Sequence, residues 1–215
     1  MKTILLKDAV ALIPDGASVM IGGFMGVGTP ERLVDELVRQ GKRNLTVIAN
    51  DNALPGIGIG KLISAGAVKK TIASHIGLNP ETQKKMLAGE LEVDLVPQGT
   101  LIERIRAGGF GLGGVLTSTG VGTVVEKGKQ RIEVDGKLYL LETALRADFA
   151  LVDAFLADYI GNLYYALTAR NFNPVMAMAA DTVIVDAENI VPVGVISPDQ
   201  VVTPAPVVDY IISHA

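Results

Sequence analysis

The sequence contains no cysteine, no tryptophan and only two histidines, His75 and His214. The lack of cysteine excludes disulfide bonds, thiolate zinc sites and cysteine nucleophiles. Two histidines cannot form a histidine-rich metal site, and the carboxylates show no tight cluster along the chain, so we expect no metal site. No apolar run approaches the roughly 18 residues that a membrane-spanning helix needs. We therefore expect no membrane association.

The sequence also has no excess of basic residues over acidic ones. The chain has 19 Lys and Arg against 23 Asp and Glu, a formal net charge of −4 and a pI of about 5.2. Nucleic-acid binding normally requires a basic surface, so that class is disfavoured. The segment 1–6 contains only a few apolar residues before Lys7 and Asp8, too few for the core of a signal peptide. These features predict a cytoplasmic protein.

Apolar residues and glycines are abundant. Hydrophobic residues make up 49% of the 215 positions, the mean hydropathy is +0.39, and 24 residues are glycine. Short apolar runs alternate with segments of helical periodicity, which is the pattern of a parallel sheet built from βαβ units. We predict an α/β fold: an open, mostly parallel sheet with flanking helices and a β-hairpin excursion, formed as one domain by residues 1–215.

The predicted elements follow from local signals. Buried strands are predicted at 18–21, 45–49, 68–73, 91–96, 149–155 and 182–185. Helices are predicted from Pro30, capped by Thr29, to Gly41; from Pro80, capped by Asn79, to Gly89; at 101–106; and after Asn173-Pro174. The pair Asp135-Gly136 predicts a two-residue hairpin between strands 130–134 and 137–141.

The first glycine cluster, Gly22 to Gly28, lies between the end of a predicted strand and the start of a predicted helix. Glycines let backbone N–H groups approach a ligand, and ligands bind beyond the carboxyl ends of parallel strands. The pattern is typical either of a ligand-binding loop or of a tight turn. The third glycine of a dinucleotide fingerprint is replaced by Glu31, although Asp51 lies at a suitable distance downstream. The segment 56–62 imitates a phosphate-binding loop, but Leu62 replaces the hydroxyl that binds magnesium.

The second cluster, Gly108 to Gly122, contains seven glycines. We predict a loop that packs at the edge of the site or against another chain, since its apolar residues argue against a disordered linker.

Residues 15–30 contain a motif with fixed spacing. It consists of Asp15-Gly16, the apolar triplet 19–21, Gly22-Gly23-Phe24, Gly28 and Pro30. It resembles the signature of the A (alpha) subunit of family I coenzyme A transferases. The likeness extends over essentially the whole chain, through segments 89–93, 97–101, 103–109, 119–123 and 169–173. Within the family, the chain most resembles alpha subunits of acetate/acetoacetate (short-chain fatty acid) CoA-transferases.

The resemblance implies transfer of CoA from an acyl-CoA to a free carboxylate by a ping-pong mechanism through a glutamyl–CoA thioester. It implies that the nucleophilic glutamate belongs to a beta subunit, so that no catalytic residue is expected in this chain, and that the assembly is α2β2. CoA is then a substrate, and no tightly bound cofactor is expected. The alternative from the residues alone is a nucleotide- or metabolite-binding α/β module without catalysis.

The resemblance also assigns site residues. The CoA-binding loop is formed by Gly22, Gly23, Phe24, Met25, Gly26, Val27 and Gly28. Asn50 and Gln98 match polar residues of the substrate pocket, and both follow predicted strands, so they can meet at one edge of the sheet. Asp51 stands where some relatives have a second asparagine and receives no role.

Other polar residues are expected to be structural. Glu90, Glu103, Glu126 and Glu142 lack the Glu-Asn-Gly context of the beta-subunit nucleophile, and Glu188-Asn189 is followed by isoleucine. His75 is expected to form a hydrogen bond at a strand end. Arg170 is the best candidate for a structural or interface ion pair.

Overall fold

The structure is a computed structural model that describes residues 2–213. Its strands are β1 (Lys2–Ile4), β2 (Ser18–Ile21), β3 (Leu45–Ile48), β4 (Val68–Ala73), β5 (Glu92–Leu95), β6 (Gly114–Thr117), β7 (Arg131–Val134), β8 (Lys137–Thr143), β9 (Ala147–Asp158), β10 (Leu163–Tyr164), β11 (Ala180–Val191) and β12 (Tyr210–Ile212). Its α-helices are α1 (Leu6–Ala11), α2 (Glu31–Arg39), α3 (Ile59–Ser64), α4 (Pro80–Leu87), α5 (Gln98–Gly109) and α6 (Asn173–Met178).

The larger sheet has the order β1-β12-β11-β9-β2-β3-β4-β5, and every neighbouring pair in that order is parallel. Only β10 runs antiparallel, along the end of β9. From β2 the chain proceeds outward through β3, β4 and β5, whereas from β9 it proceeds the opposite way through β11 and β12. The direction of winding therefore reverses between β2 and β9, and a ligand crevice is expected outside the carboxyl ends of strands at such a point.

The sheet is covered on both faces because side chains alternate along each strand. In β2, Val19 and Ile21 pack with α1, α2 and α3, whereas Met20 packs on the opposite face with α5 and α6. The side chains of Val19, Met20 and Ile21 are all fully buried. The apolar run 19–21 therefore belongs to a strand that is buried on both sides.

The predicted hairpin forms a smaller antiparallel sheet of order β6-β8-β7. Its two turn residues have positive φ, 50° at Asp135 and 73° at Gly136, as a two-residue turn of this class requires. The prediction of a mostly parallel sheet with a hairpin excursion is confirmed. No helix within residues 2–213 is long and apolar enough to cross a membrane.

Several predicted boundaries were wrong. Pro30, not Thr29, occupies the N-cap position of α2, and the helix begins at Glu31 without a side-chain cap. Helix α5 begins at Gln98 rather than at Leu101, and it ends at Gly109. The second glycine cluster is therefore only partly a loop, since two of its glycines end α5 and Gly114 begins β6. Asn79 caps α4 as predicted, accepting a hydrogen bond from the Thr82 N–H at 3.1 Å.

Candidate functional site

A cavity of about 370 Å³ opens beyond the carboxyl ends of β2, β3, β4 and β5. The loop or helix that follows each of these strands contributes residues to the cavity wall. The lining residues are Phe24, Met25, Asn50, Asp51, Ser74, His75, Leu78 and Gln98. The cavity lies beside the reversal of the sheet, where the sequence predicts a ligand.

The tip of the glycine loop is a reciprocal turn. The Phe24 N–H donates to the Val27 carbonyl at 2.9 Å, and the Val27 N–H donates to the Phe24 carbonyl at 2.9 Å. The two central residues, Met25 and Gly26, have φ of 51° and 91°, which is the mirror-image form of the common turn and favours glycine. The turn presents Phe24 and Met25 to the cavity.

The carboxylate of Asp51 fixes this turn to the end of β3. It accepts hydrogen bonds from the Met25 N–H at 3.0 Å, the Ala53 N–H at 2.7 Å and the Asn50 side-chain amide at 2.7 Å. Asp51 is buried, and these donors satisfy its oxygens as a buried carboxylate requires. Asp51 therefore positions the turn, a role that neither the residue pattern nor the resemblance had indicated.

The structure brings Asn50 and Gln98 together. The Gln98 Nε2 donates to the Asn50 Oδ1 at 2.7 Å, and the Ser74 hydroxyl donates to the Asn50 carbonyl at 2.7 Å. Asn50 is only 1% exposed, whereas Gln98 is exposed in the first turn of α5. Gln98 is thus the amide that can reach a ligand, and Asn50 holds it in place.

Two asparagines, Asn171 just before α6 and Asn173 at its first position, hold the base of the glycine loop. Asn171 accepts from the Gly23 N–H at 3.1 Å and donates to the Val27 carbonyl at 2.9 Å. Asn173 donates to the Gly28 carbonyl at 2.9 Å and accepts from the Asp153 N–H at 3.1 Å. Neither residue types nor their spacing indicated these contacts. Only the likeness of segment 169–173 to a known family marked this part of the chain.

Glycine at position 22 is required by this packing. A Cβ atom on Gly22 would lie 1.7 Å from the Asn173 Oδ1. Asn173 is fully buried, so its side chain has little room to move. The close approach of loop and helix is therefore possible only without a side chain at Gly22.

Most N–H groups of the loop are used within the protein. The donors with protein acceptors are those of Gly22, Gly23, Phe24, Met25, Val27 and Thr29. Within residues 2–213, the N–H groups of Gly26 and Gly28 have no protein acceptor. These two donors are the ones that the loop can offer to a ligand.

Acidic residues considered as nucleophiles lie outside the cavity lining. Glu126 pairs with Arg131, Glu142 lies 2.5 Å from the Lys129 Nζ, and Glu103 pairs with Arg106 at 3.1 Å. They act as partners of basic residues in the hairpin sheet and on α5. Arg170, expected in an ion pair, has no acidic partner within the part of the chain that the structure describes.

Asp153 lies on β9 beside the base of the glycine loop. Burial, reinforced by the neighbouring charges of Asp186 and Glu188, raises its pKa to about 7, although Arg32 opposes the shift. The folded protein therefore holds a proton on Asp153 between about pH 4 and pH 7, where the unfolded chain releases it. Asp153 therefore makes the free energy of unfolding fall as pH rises through that range.

Replacing Asp153 with Asn, which keeps the neutral form, should remove this loss. We expect the stability advantage of Asp153→Asn over the wild type to grow by about 1–3 kcal/mol between pH 5 and pH 8. Thermal unfolding of both proteins at several pH values measures the difference. Asp148→Asn is a matched control on the same strand, because hydrogen bonds from Ser18 lower the pKa of Asp148, so its effect should be constant over this range. A constant effect of Asp153→Asn would contradict the prediction.

Comparisons with known proteins identify the family of this chain. A family model described as Coenzyme A transferase matches residues 3–214. The chain is 57% identical over 211 residues to the acetate CoA-transferase subunit alpha of Escherichia coli (strain K12), covering 98% of this chain and 96% of that protein. It is 53% identical over 213 residues to the acetoacetyl-CoA:acetate/butyrate CoA transferase alpha subunit of Clostridium acetobutylicum, covering 99% and 98%.

Solved structures share the fold. An acyl-CoA transferase from Escherichia coli O157:H7, in a thioester complex with CoA, superposes with a TM-score of 0.87 at 24% identity. The match covers 98% of this chain, which spans 46% of that longer protein. Glutaconate coenzyme A-transferase from Acidaminococcus fermentans superposes with a TM-score of 0.83 at 23% identity, covering 99% of this chain and 75% of that one. The sequence match along nearly the whole chain shows that the protein belongs to the coenzyme A transferase family.

Proposed function

We propose that this chain is the alpha subunit of a heteromeric CoA-transferase of the cytoplasm. In this proposal it acts with a beta subunit, as an α2β2 assembly, to move CoA from a short-chain acyl-CoA to a free carboxylate such as acetate, acetoacetate or butyrate. Two relatives that are 57% and 53% identical and carry the names of such alpha subunits support it.

The observation that carries the proposal is the amide pair at the open cavity. Gln98 is held by Asn50 through a 2.7 Å hydrogen bond, at the carboxyl edge of the sheet. An amide N–H can bind the oxygen of a thioester or a carboxylate and does not titrate. The arrangement therefore suits a reaction in which an acyl oxygen gains negative charge.

The proposed chemistry is a double displacement. A glutamate of the beta subunit attacks the acyl-CoA carbonyl, and the CoA thiolate leaves as an acyl–glutamyl anhydride forms. The thiolate then attacks the glutamyl carbonyl, which releases the first carboxylate and leaves a glutamyl–CoA thioester. The second carboxylate reverses these steps. In this scheme Gln98 donates a hydrogen bond to the developing oxyanion, and Asn50 is its positioning residue.

We assign the glycine loop to CoA in the same scheme. Its available donors, the N–H groups of Gly26 and Gly28, lie at the tip and base of segment 22–28, and Phe24 and Met25 supply apolar surface toward the cavity. Selection among acetate, acetoacetate and butyrate is expected to be modest, because one methylene contributes only about 1–3 kcal/mol to discrimination.

Reconstitution tests the proposal. We expect the purified chain alone to show no CoA transfer from acetoacetyl-CoA to acetate, and addition of the beta subunit to restore it, because the nucleophile is supplied in trans. The measurement is formation of acetyl-CoA at increasing ratios of beta subunit, with activity saturating at equal amounts. Turnover by the chain alone would contradict the proposal. Tight acyl-CoA binding by the chain alone, without transfer after mixing, would favour a non-catalytic binding module.

A further inference from the structure

His75 is a cavity residue whose side chain was expected to form a strand-end hydrogen bond, and that expectation was wrong. Its ring nitrogens have no hydrogen-bond partner within residues 2–213. The ring lies against Gly77, where an added Cβ would come within 2.8 Å of the His75 Nε2. His75 is exposed to solvent and lines the cavity. The imidazole therefore lies at the cavity wall with its polar atoms left for another group.

The ionisable residues of the cavity indicate what this imidazole could do. Among the described residues that line the cavity, only Asp51 and His75 are ionisable. Their backbones are neighbours, since Asp51 and His75 form an isolated parallel β-bridge. Asp51 uses its oxygens on Met25, Ala53 and Asn50, but its negative charge remains in the wall. The turn at Phe24 and the start of α5 contribute no ionisable side chain to this lining.

A free carboxylate that enters the cavity brings a second negative charge. The amide of Gln98 supplies hydrogen bonds but no compensating charge, so the anion would be repelled by Asp51. A protonated imidazole beside Asp51 would offset that repulsion and would also donate an N–H to the incoming oxygen. A neutral thioester needs no such compensation.

We propose that protonated His75 binds the carboxylate of the acceptor substrate and so selects carboxylate acceptors at this site. The proposal rests on the proposed CoA-transferase function and adds a specificity residue to it. Only the protonated imidazole carries the charge, so acceptor affinity should fall when His75 loses its proton.

Steady-state kinetics of the complex with its beta subunit test the proposal, with acetoacetyl-CoA as donor and acetate as acceptor. In the wild type, the KM for acetate should rise at least tenfold between pH 5.5 and pH 8.5. His75→Gln keeps a hydrogen-bond donor without the charge, so its KM should be about tenfold higher than wild type at pH 6 and independent of pH. The kcat should change less than about twofold, because the group acts in binding.

A second variant separates charge from structure. His75→Lys retains a positive charge throughout this pH range, so it should restore a low acetate KM that no longer rises up to pH 8.5. A residue that merely supports the loop would show no such rescue. A pH-dependent acetate KM in His75→Gln, or a loss confined to kcat, would overturn the proposal.

A direct binding measurement keeps this test separate from the proposed function. With histidine labelled in this chain only, NMR of the complex should show two signals, from His75 and His214. Acetate should move the titration midpoint of the His75 signal to higher pH and leave the other signal unchanged. Acetate without effect on either signal would overturn the proposal even if CoA transfer occurs. Absence of CoA transfer in the wild type, with the NMR shift present, would refute only the proposed function.

Discussion

Gly22→Ala is expected to lower kcat/KM of the assembled enzyme more than about 100-fold and to destabilise the chain by about 3–5 kcal/mol. The added Cβ would lie 1.7 Å from the Asn173 Oδ1 and 2.4 Å from its Cγ. To make room, Asn173 must give up its hydrogen bonds to Gly28, Ala169 and Asp153. Buried polar groups that lose their partners are costly, and the loop that presents Phe24 and Met25 moves with them.

Thermal unfolding and kinetics of the complex measure both parts of this effect. Gly113→Ala is a matched control for the unfolding of this chain, because a Cβ there meets nothing within 4 Å and the backbone has no positive φ. The double variant Gly22→Ala, Asn173→Ala removes the clashing atoms. It should therefore cost less than the sum of the two single changes. Wild-type unfolding and activity in Gly22→Ala would show that the loop does not need this contact.

Gln98→Ala is expected to lower kcat/KM about 10²–10³-fold with little change in unfolding temperature. The exposed amide of Gln98 is the proposed donor to the developing oxyanion, and its removal leaves no buried cavity. Asn50→Ala should have a similar kinetic effect, since it frees Gln98, which Asn50 holds at 2.7 Å. It should also destabilise the chain, because the Asp51 carboxylate loses one of its donors.

The two residues should act as one unit. The double variant Gln98→Ala, Asn50→Ala is then expected to lose no more than about threefold beyond the worse single variant, as groups that share one role are not additive. Gln130→Ala, a glutamine at the start of the hairpin sheet, is the control and should retain full activity. Additive losses would mean that Asn50 contacts the substrate independently of Gln98.

The central strands could be predicted closely from local sequence. Strands β2 and β4 begin and end at the predicted residues, 18–21 and 68–73. In β2 the residues 19–21 are apolar and fully buried on both faces of the sheet, so this strand leaves a clear apolar run in the sequence. Strands β1, β10 and β12 have only two or three residues each. Their pairing comes from neighbours in the folded sheet, so their own sequences carry too little pattern to predict them.

The contacts of the candidate site were likewise only partly predictable from the sequence. The meeting of Asn50 and Gln98 was predictable, because residues that follow parallel strands come to one edge of a sheet. The contacts of Asn171 and Asn173 with the glycine loop, which we call the clamp, were not predictable. These two residues lie just before and at the start of α6, whose position depends on the whole core. The role of Asp51 was equally hidden, because an acidic residue after a strand does not reveal which N–H groups it will accept.

The clamp on the glycine loop has a consequence for the order in which this chain can fold during synthesis. Gly23 and Gly28 emerge from the ribosome about 145 residues before their partners Asn171 and Asn173. Strand β2 also cannot form its full set of sheet hydrogen bonds before β9, its neighbour in the sheet, has been synthesised. The glycine loop therefore becomes ordered only after Asn173 has been synthesised, and the nascent chain must protect its apolar strands until then.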